Sequence, residues 1–283
     1  TGRDSGFAMM FAGDLPIASG LSSSAAIEVA TATALDALHG TALAKDELAL
    51  LGYRAETEYV GLKCGIMDQF ASALGRAGHA LLLHCHSRTW EHVPLDPAAF
   101  DVLVLDTRKP RTLATTGFNE RVRECAAAHA ALRAAGIDRP YLAASTAEDL
   151  QRAGDRLQGV LRRRARHVVT EMQRVGEAVA ALRAGDVVRL GRCLDASHRS
   201  TAEDYEVSCA ELDEITASAR ACPGVFGARL TGAGFGGCGI ALVTPGAADA
   251  VADSVAARYG ARFGIAPRFE VLHPGSGPRE LHF

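Results

Sequence analysis

The spacing of apolar and polar residues divides the chain into two textures. Residues 7–12 (F-A-M-M-F-A) form a short apolar run before a turn and predict a buried strand. After a loop around Asp14 and Pro16, residues 25–38 place apolar side chains at helical spacing, and His39-Gly40 supplies a stop signal. A second helix is predicted over 43–59 and ends at Gly61, and a third over 67–74 ends at Gly75. The texture then changes. Residues 80–86, 90–93 and 101–105 read as strands separated by turns. Pro94 and Pro97 punctuate the passage between them, and a domain boundary is expected there, giving parts of 1–94 and 95–283.

Helical patterns dominate the next hundred residues, over 114–135, 146–151, 158–184, 186–200 and 209–219. The last third alternates. A strand over 225–230, a glycine-dense loop, a strand over 239–243, a helix over 247–259 and a strand over 267–272 follow in turn. Strands and helices run through the chain without a regular βαβ repeat, which is an α+β pattern rather than a doubly wound sheet.

Composition narrows the functional classes. A formal net charge of −3 over 283 residues argues against nucleic acid as the main partner. No apolar run approaches the roughly 20 residues of a membrane span. The 7 cysteines are scattered with no C-x-x-C pair, so neither a disulfide framework nor a zinc site is suggested, and free thiols fit a reducing cytoplasm. A monomer working on small molecules is expected.

Three stretches carry candidate chemistry. The first, G-D-L-P-I-A-S-G-L-S-S-S-A-A-I-E at 13–28, opens a helix with three consecutive serines. Free N–H groups at a helix mouth favour anions, and hydroxyls add donors or a ligand for Mg²⁺. No Gly-Lys-Ser/Thr occurs, so a P-loop is excluded. A serine that merely caps the helix would look similar, and both readings stand on the pattern alone. The second, L-T-G-A-G-F-G-G-C-G at 230–239, is too rich in glycine for a tight hairpin and implies unusual backbone or close approach. The third, G-L-K-C-G-I-M-D-Q-F at 61–70, sets Asp68 among apolar neighbours, with Glu56 and Glu58 one helix away.

Together these stretches resemble the GHMP small-molecule kinases, and most closely the members that phosphorylate galactose. C-G-I-M-D-Q-F at 64–70, L-D-T at 105–107, N-E-R-V-R-E-C at 119–125, R-A-R-H-V-V-T-E at 164–171 and D-Y-E-V-S-C-A-E-L-D at 204–213 extend the likeness over nearly the whole chain. The resemblance implies a two-lobed fold, with a ribosomal protein S5 domain 2-like N-terminal part and an α/β C-terminal domain. It implies ATP and Mg²⁺ as cofactors and the C1 hydroxyl of galactose as acceptor. It places Gly20, Leu21, Ser22, Ser23, Ser24 and Ala25 on ATP, and Ser23 and Glu56 on Mg²⁺, with Glu58 the lesser candidate. Asp68 becomes the catalytic carboxylate, which accepts the hydroxyl proton or orients the hydroxyl. Gly65 and Phe118 become sugar contacts, and Gly232, Gly234, Gly236 and Gly237 a loop buttressing the phosphates.

Two departures accompany the likeness. The family's motif G-R-x-N-x-x-G-E-H-x-D-Y is absent, and Thr1 stands where a natural start would show Met. A missing N-terminal portion, with weak or no activity for the residues given, is the resulting expectation. Phe118 also stands where a sugar-contacting tyrosine is found in the family. Kinase action on N-acetylgalactosamine or a heptose, a dead fragment, and a non-catalytic sugar sensor are the competing readings. The intact serine stretch argues against the sensor. The run at 162–166 (R-R-R-A-R) reads as a solvated helix face, with Arg166 and His167 in a hydrogen-bond network, and Tyr205 and Glu206 read as structural.

Overall fold

The computed structural model describes residues 6–15, 20–61, 64–110 and 114–281. Residues 16–19, inside the loop predicted around Pro16, lie outside these. The first half of the fold packs three helices on a hairpin. They are α1 (Ser23–His39), α2 (Lys45–Arg54) and α3 (Met67–Leu74), set against β1 (His79–His84) and β2 (Thr89–Pro94). α1 ends at Gly40, whose left-handed backbone (φ 61°) carries its N–H back to the Asp36 carbonyl. Val29, Ala49, Phe70, Ala73 and Leu74 bury the core between the three helices and Leu81 and Leu83 of β1.

The second half is built on a four-stranded antiparallel sheet in the order β4-β5-β3-β6. It comprises β3 (Asp101–Asp106), β4 (Val225–Leu230), β5 (Cys238–Val243) and β6 (Arg268–Leu272). Its apolar strands are covered on both faces. On one side lie α8 (Ala210–Arg220) and α9 (Ala248–Phe263), through Ile215, Ala219, Val251, Val255 and Tyr259. On the other lie α6 (Gly159–Ala184) and α7 (Val187–Glu203), through Ala181 and Leu190 against Phe100 and Leu242. α7 approaches β4 backbone to backbone: a Cβ on Gly227 would overlap the Gly191 carbonyl, and a Cβ on Gly191 would overlap the Phe226 carbonyl. A helical annex of α4 (Ala114–Ala134) and α5 (Ala147–Ala153) packs on the first half of α6, with Leu132, Leu150, Leu157, Ala165 and Val169 buried. α5 begins with a reciprocal cap, in which Thr146 accepts from the Asp149 N–H and Asp149 accepts from the Thr146 N–H.

After β6 the chain runs back to the first half. The Gly277 N–H donates to the Gly75 carbonyl at 2.8 Å and the Gly78 N–H to the Pro274 carbonyl at 3.3 Å. Gly78 also accepts, at 2.9 Å, from the N–H of Leu95, where the chain leaves the first half.

Three expectations need correction. The predicted strand at 7–12 has no regular secondary structure, with Phe7, Met10 and Phe11 more than half exposed. A strand is stable only when its backbone is paired, and no described residue pairs with this one. The helix predicted over 43–59 stops being α-helical at Arg54. It continues as a π turn, Ala55–Tyr59, in which the Val60 N–H reaches the Ala55 carbonyl. The arginine run is not uniformly solvated: Arg164 is 1% exposed, because each of its three nitrogens finds an acceptor. They donate to Glu124 (2.7 Å), the Asp204 carbonyl (2.6 Å) and Glu206 (2.5 Å).

Candidate active site

The serine turn enters α1 through left-handed backbone. Gly20 has φ 91° and Ser22, at the N-cap position, has φ 58°; its hydroxyl makes no cap hydrogen bond. A serine at an N-cap ordinarily sits in extended backbone and accepts from the second or third N–H. Here the turn leaves the N–H groups of Ser23, Ser24 and Ala25 without an intrahelical acceptor at the positive end of the helix dipole. The Ala26 N–H closes the first turn on the Ser22 carbonyl, and Ala25 is fully buried behind it. A helix mouth opened this way suits an anion rather than a self-contained cap.

The π turn after α2 sends its two glutamates apart. Glu58 pairs with Arg54 in solvent, whereas Glu56 turns inward and is 8% exposed. Three donors meet Glu56. Ser24 Oγ donates to Oε1 at 3.1 Å, while Gln69 Nε2 at 2.6 Å and Cys64 Sγ at 3.3 Å donate to Oε2. Ser24, and not Ser23, is thus the hydroxyl that faces Glu56. The second Gln69 amide hydrogen goes to Glu28 Oε2 at 2.9 Å, which links α1, the π turn and α3. Burial, then repulsion from Glu56 and Asp68, lift the Glu28 carboxyl above its ordinary range against the lowering effect of Gln69. Burial, followed by the Glu56 carboxylate, pushes the Cys64 thiol up to about 12, so it remains a neutral donor.

Asp68 lies in the first turn of α3, half-buried, with no hydrogen-bond or ion-pair partner among the described residues. Gly65, two residues before α3, is exposed, and a Cβ there would meet nothing within 4 Å. Ser22, Ser24, Glu56 and Asp68 are therefore gathered by the first three helices.

The other predicted residues form a second group. Gly232, Gly234, Gly236 and Gly237 all have positive φ, as does Phe235 (φ 61°), in the loop that joins β4 to β5. The Phe235 N–H donates to the Val207 carbonyl at 2.7 Å, and the Gly237 N–H to the Lys109 carbonyl at 3.2 Å. Thr107 grips the Gly237 carbonyl with both its N–H and its hydroxyl. The Phe235 ring lies where a side chain on Gly117 would stand, so the loop abuts the segment carrying half-buried Phe118. Behind it, Arg164 ties α4 to the D-Y-E turn that leads into Val207. Sequence reasoning passed over Gln69, Glu28, Cys64 and Arg164. The signal for Glu28 was its place one helical turn after Ser24, and for Gln69 its adjacency to Asp68.

None of the described helices is long and apolar enough to cross a membrane, and all 7 cysteines are free thiols.

Comparison with known proteins agrees with this geometry. The model for the GHMP kinases N terminal domain matches residues 1–76, and that for GHMP kinases C terminal matches residues 178–261. A galactokinase from Roseiflexus sp. (strain RS-1) is 42% identical over 90% of this chain and 65% of its own length. One from Exiguobacterium sibiricum is 38% identical over 98% of this chain and 71% of its own. The chain thus spans about two thirds of the length of these relatives. The crystal structure of Lactococcus lactis galactokinase complexed with galactose superposes with a TM-score of 0.91 at 38% identity, over 95% of this chain and 69% of that one. An L. major mevalonate kinase at 20% identity and TM-score 0.56 shares the fold alone. By its paired family domains and its likeness along almost its full length, the chain belongs to the galactokinases of the GHMP kinase family.

Proposed function

We propose that this chain serves an ATP-dependent phosphorylation of the C1 hydroxyl of galactose. The observation that carries the reading is the Ser24–Glu56 pair at the open mouth of α1, with unpartnered Asp68 on the adjoining helix. The L. lactis relative was solved with galactose, which supports the choice of sugar.

In phosphoryl transfer a protein mainly positions the reactants and neutralises charge. The N–H groups of Ser23, Ser24 and Ala25 would cradle the polyphosphate, with Gly20 and Leu21 lining the turn. The free Ser22 hydroxyl would donate to a phosphate oxygen. Ser24 and Glu56 suit Mg²⁺: adjacent ligands of an octahedral ion at 2.0–2.1 Å lie about 3 Å apart, and these oxygens are 3.1 Å apart. Ser24 replaces Ser23 in that role. Mg²⁺, when bound, neutralises the phosphate charge. Asp68 takes or orients the sugar hydroxyl proton. The Gly65 N–H touches the sugar, and the Phe118 ring covers its apolar face. The glycine loop around Gly234 and Gly236 backs the phosphates. Residues 1–94 form the phosphate-binding part and 95–283 the remainder. The protein works as a cytoplasmic monomer, in keeping with its free thiols.

The test compares the full natural polypeptide with its Asp68→Ala variant. Galactose-dependent ADP formation should fall by at least about 100-fold, while ADP still binds with unchanged affinity. Equal turnover in the variant would remove Asp68 from the chemistry.

A further inference from the structure

We propose that Gln69 is a positioning residue for the cation site, fixing which oxygen of Glu56 is presented to the metal. The proposal rests on the reading of Ser24 and Glu56 as the Mg²⁺ pair. Gln69 is fully buried, and its carboxamide sits between two carboxylates. Carboxylates only accept, so Nε2 must face both Glu28 and Glu56, and this fixes the orientation of the amide. Both of its hydrogens are then committed. With Cys64 as the second donor, Gln69 occupies Oε2 of Glu56 and leaves Oε1 on the Ser24 side.

The terminal torsion of a glutamate is broad and nearly two-fold. Without this anchor the carboxylate of Glu56 rotates and offers either oxygen, or neither, to a cation. Mg²⁺ tolerates little departure from octahedral geometry, so the loss would be felt at the metal first.

The amide has no room to retreat. A Cβ on Gly52 of α2 would lie 3.3 Å from Gln69 Cγ and 3.2 Å from Glu28 Cβ, so the α2 backbone presses against both. Glu28 completes the arrangement from α1. It holds the amide from the same helix that supplies Ser24, and so couples the serine turn to the position of Glu56.

The experiment is calorimetric titration of ADP, without metal and across a Mg²⁺ series, on the wild type and on Gln69→Met. Methionine fills the same space without a donor. The wild type should bind ADP more tightly as Mg²⁺ rises. In Gln69→Met the metal-free affinity should persist, while the Mg²⁺ concentration giving half the effect should rise roughly tenfold. If that variant does not fold, Glu28→Met removes one of the two anchors and should raise the half-effect concentration several-fold. A Mg²⁺ half-effect within twofold of wild type in a folded variant overturns the proposal. Equal weakening of ADP with and without Mg²⁺ also overturns it, since that marks a general structural role. Mg²⁺-independent ADP binding by the wild type instead refutes the underlying reading of Ser24 and Glu56.

Discussion

His167 should give the fold a measurable acid sensitivity. Its ring is buried in α6, 7% exposed, stacked on Tyr205 at 4.3 Å and hydrogen-bonded through Nδ1 to Ser200 Oγ at 3.0 Å. Burial is the main cause that lowers its pKa from 6.5 to about 4; Arg174 and Arg229 add to the lowering, and Glu171 and Asp204 oppose it. The folded pKa lies below the unfolded one, so the unfolded chain binds the extra proton first. The stability linked to this group is therefore complete above pH 6.5 and is lost as pH falls toward 4. Between those limits the slope is about 1.4 kcal/mol per pH unit, and the total approaches roughly 3 kcal/mol. The comparison is His167→Gln, which retains a partner for Ser200 but does not titrate. Urea unfolding at pH 7, 6 and 5 gives the stability of each protein. The difference between wild type and variant should shift by about 2 kcal/mol against the wild type from pH 7 to pH 5. A constant difference across that range would refute the argument.

Other substitutions probe other joints. Gly227→Ala forces a methyl into the Gly191 carbonyl and should cost more than about 3 kcal/mol in urea unfolding, since neither backbone can yield; a loss under 1 kcal/mol would mean the α7–β4 contact is looser than described. Arg164→Met removes the ties from α6 to Glu124, the Asp204 carbonyl and Glu206, while Glu124 keeps Arg121 and Glu206 keeps Arg163, and should destabilise by about 1–3 kcal/mol, read from the same denaturation curves. Phe118→Tyr should lower the KM for galactose in the full natural polypeptide with little change in kcat, and an unaltered KM would count against Phe118 as a sugar contact.

Much of this was legible in the sequence where a local pattern decides structure. α3 was expected over 67–74 and is found at Met67–Leu74, because its apolar period and Gly75 leave no alternative. β4 was expected over 225–230 and occupies Val225–Leu230. The run at 7–12 misled because an apolar stretch reports only a preference for burial, and burial depends on a partner strand. The π turn was invisible because one extra residue in the hydrogen-bond ladder leaves an Ala/Glu-rich pattern unchanged, yet that residue turns Glu56 inward and Glu58 out. That Ser24 is the serine hydrogen-bonded to Glu56 depends on the rotational setting of α1 against the π turn, which no local window contains. Arg164 read as solvated because its acceptors come from residues 124, 204 and 206, far from it in the chain.

The junction at Gly78 has a mechanical consequence. The outgoing segment at Leu95 and the returning segment at Pro274 are fastened to the amide and carbonyl of one residue. Two tethers attached far apart would define a hinge line and restrict the halves to opening and closing like a book. Here the Gly277–Gly75 bond and the Arg183–Glu91 pair between α6 and β2 add attachment points to the two at Gly78, so the halves are fastened at several places rather than on one pivot. The junction lies just beyond the C-terminal end of α3, so the sheet half is anchored directly to the helix that carries Asp68.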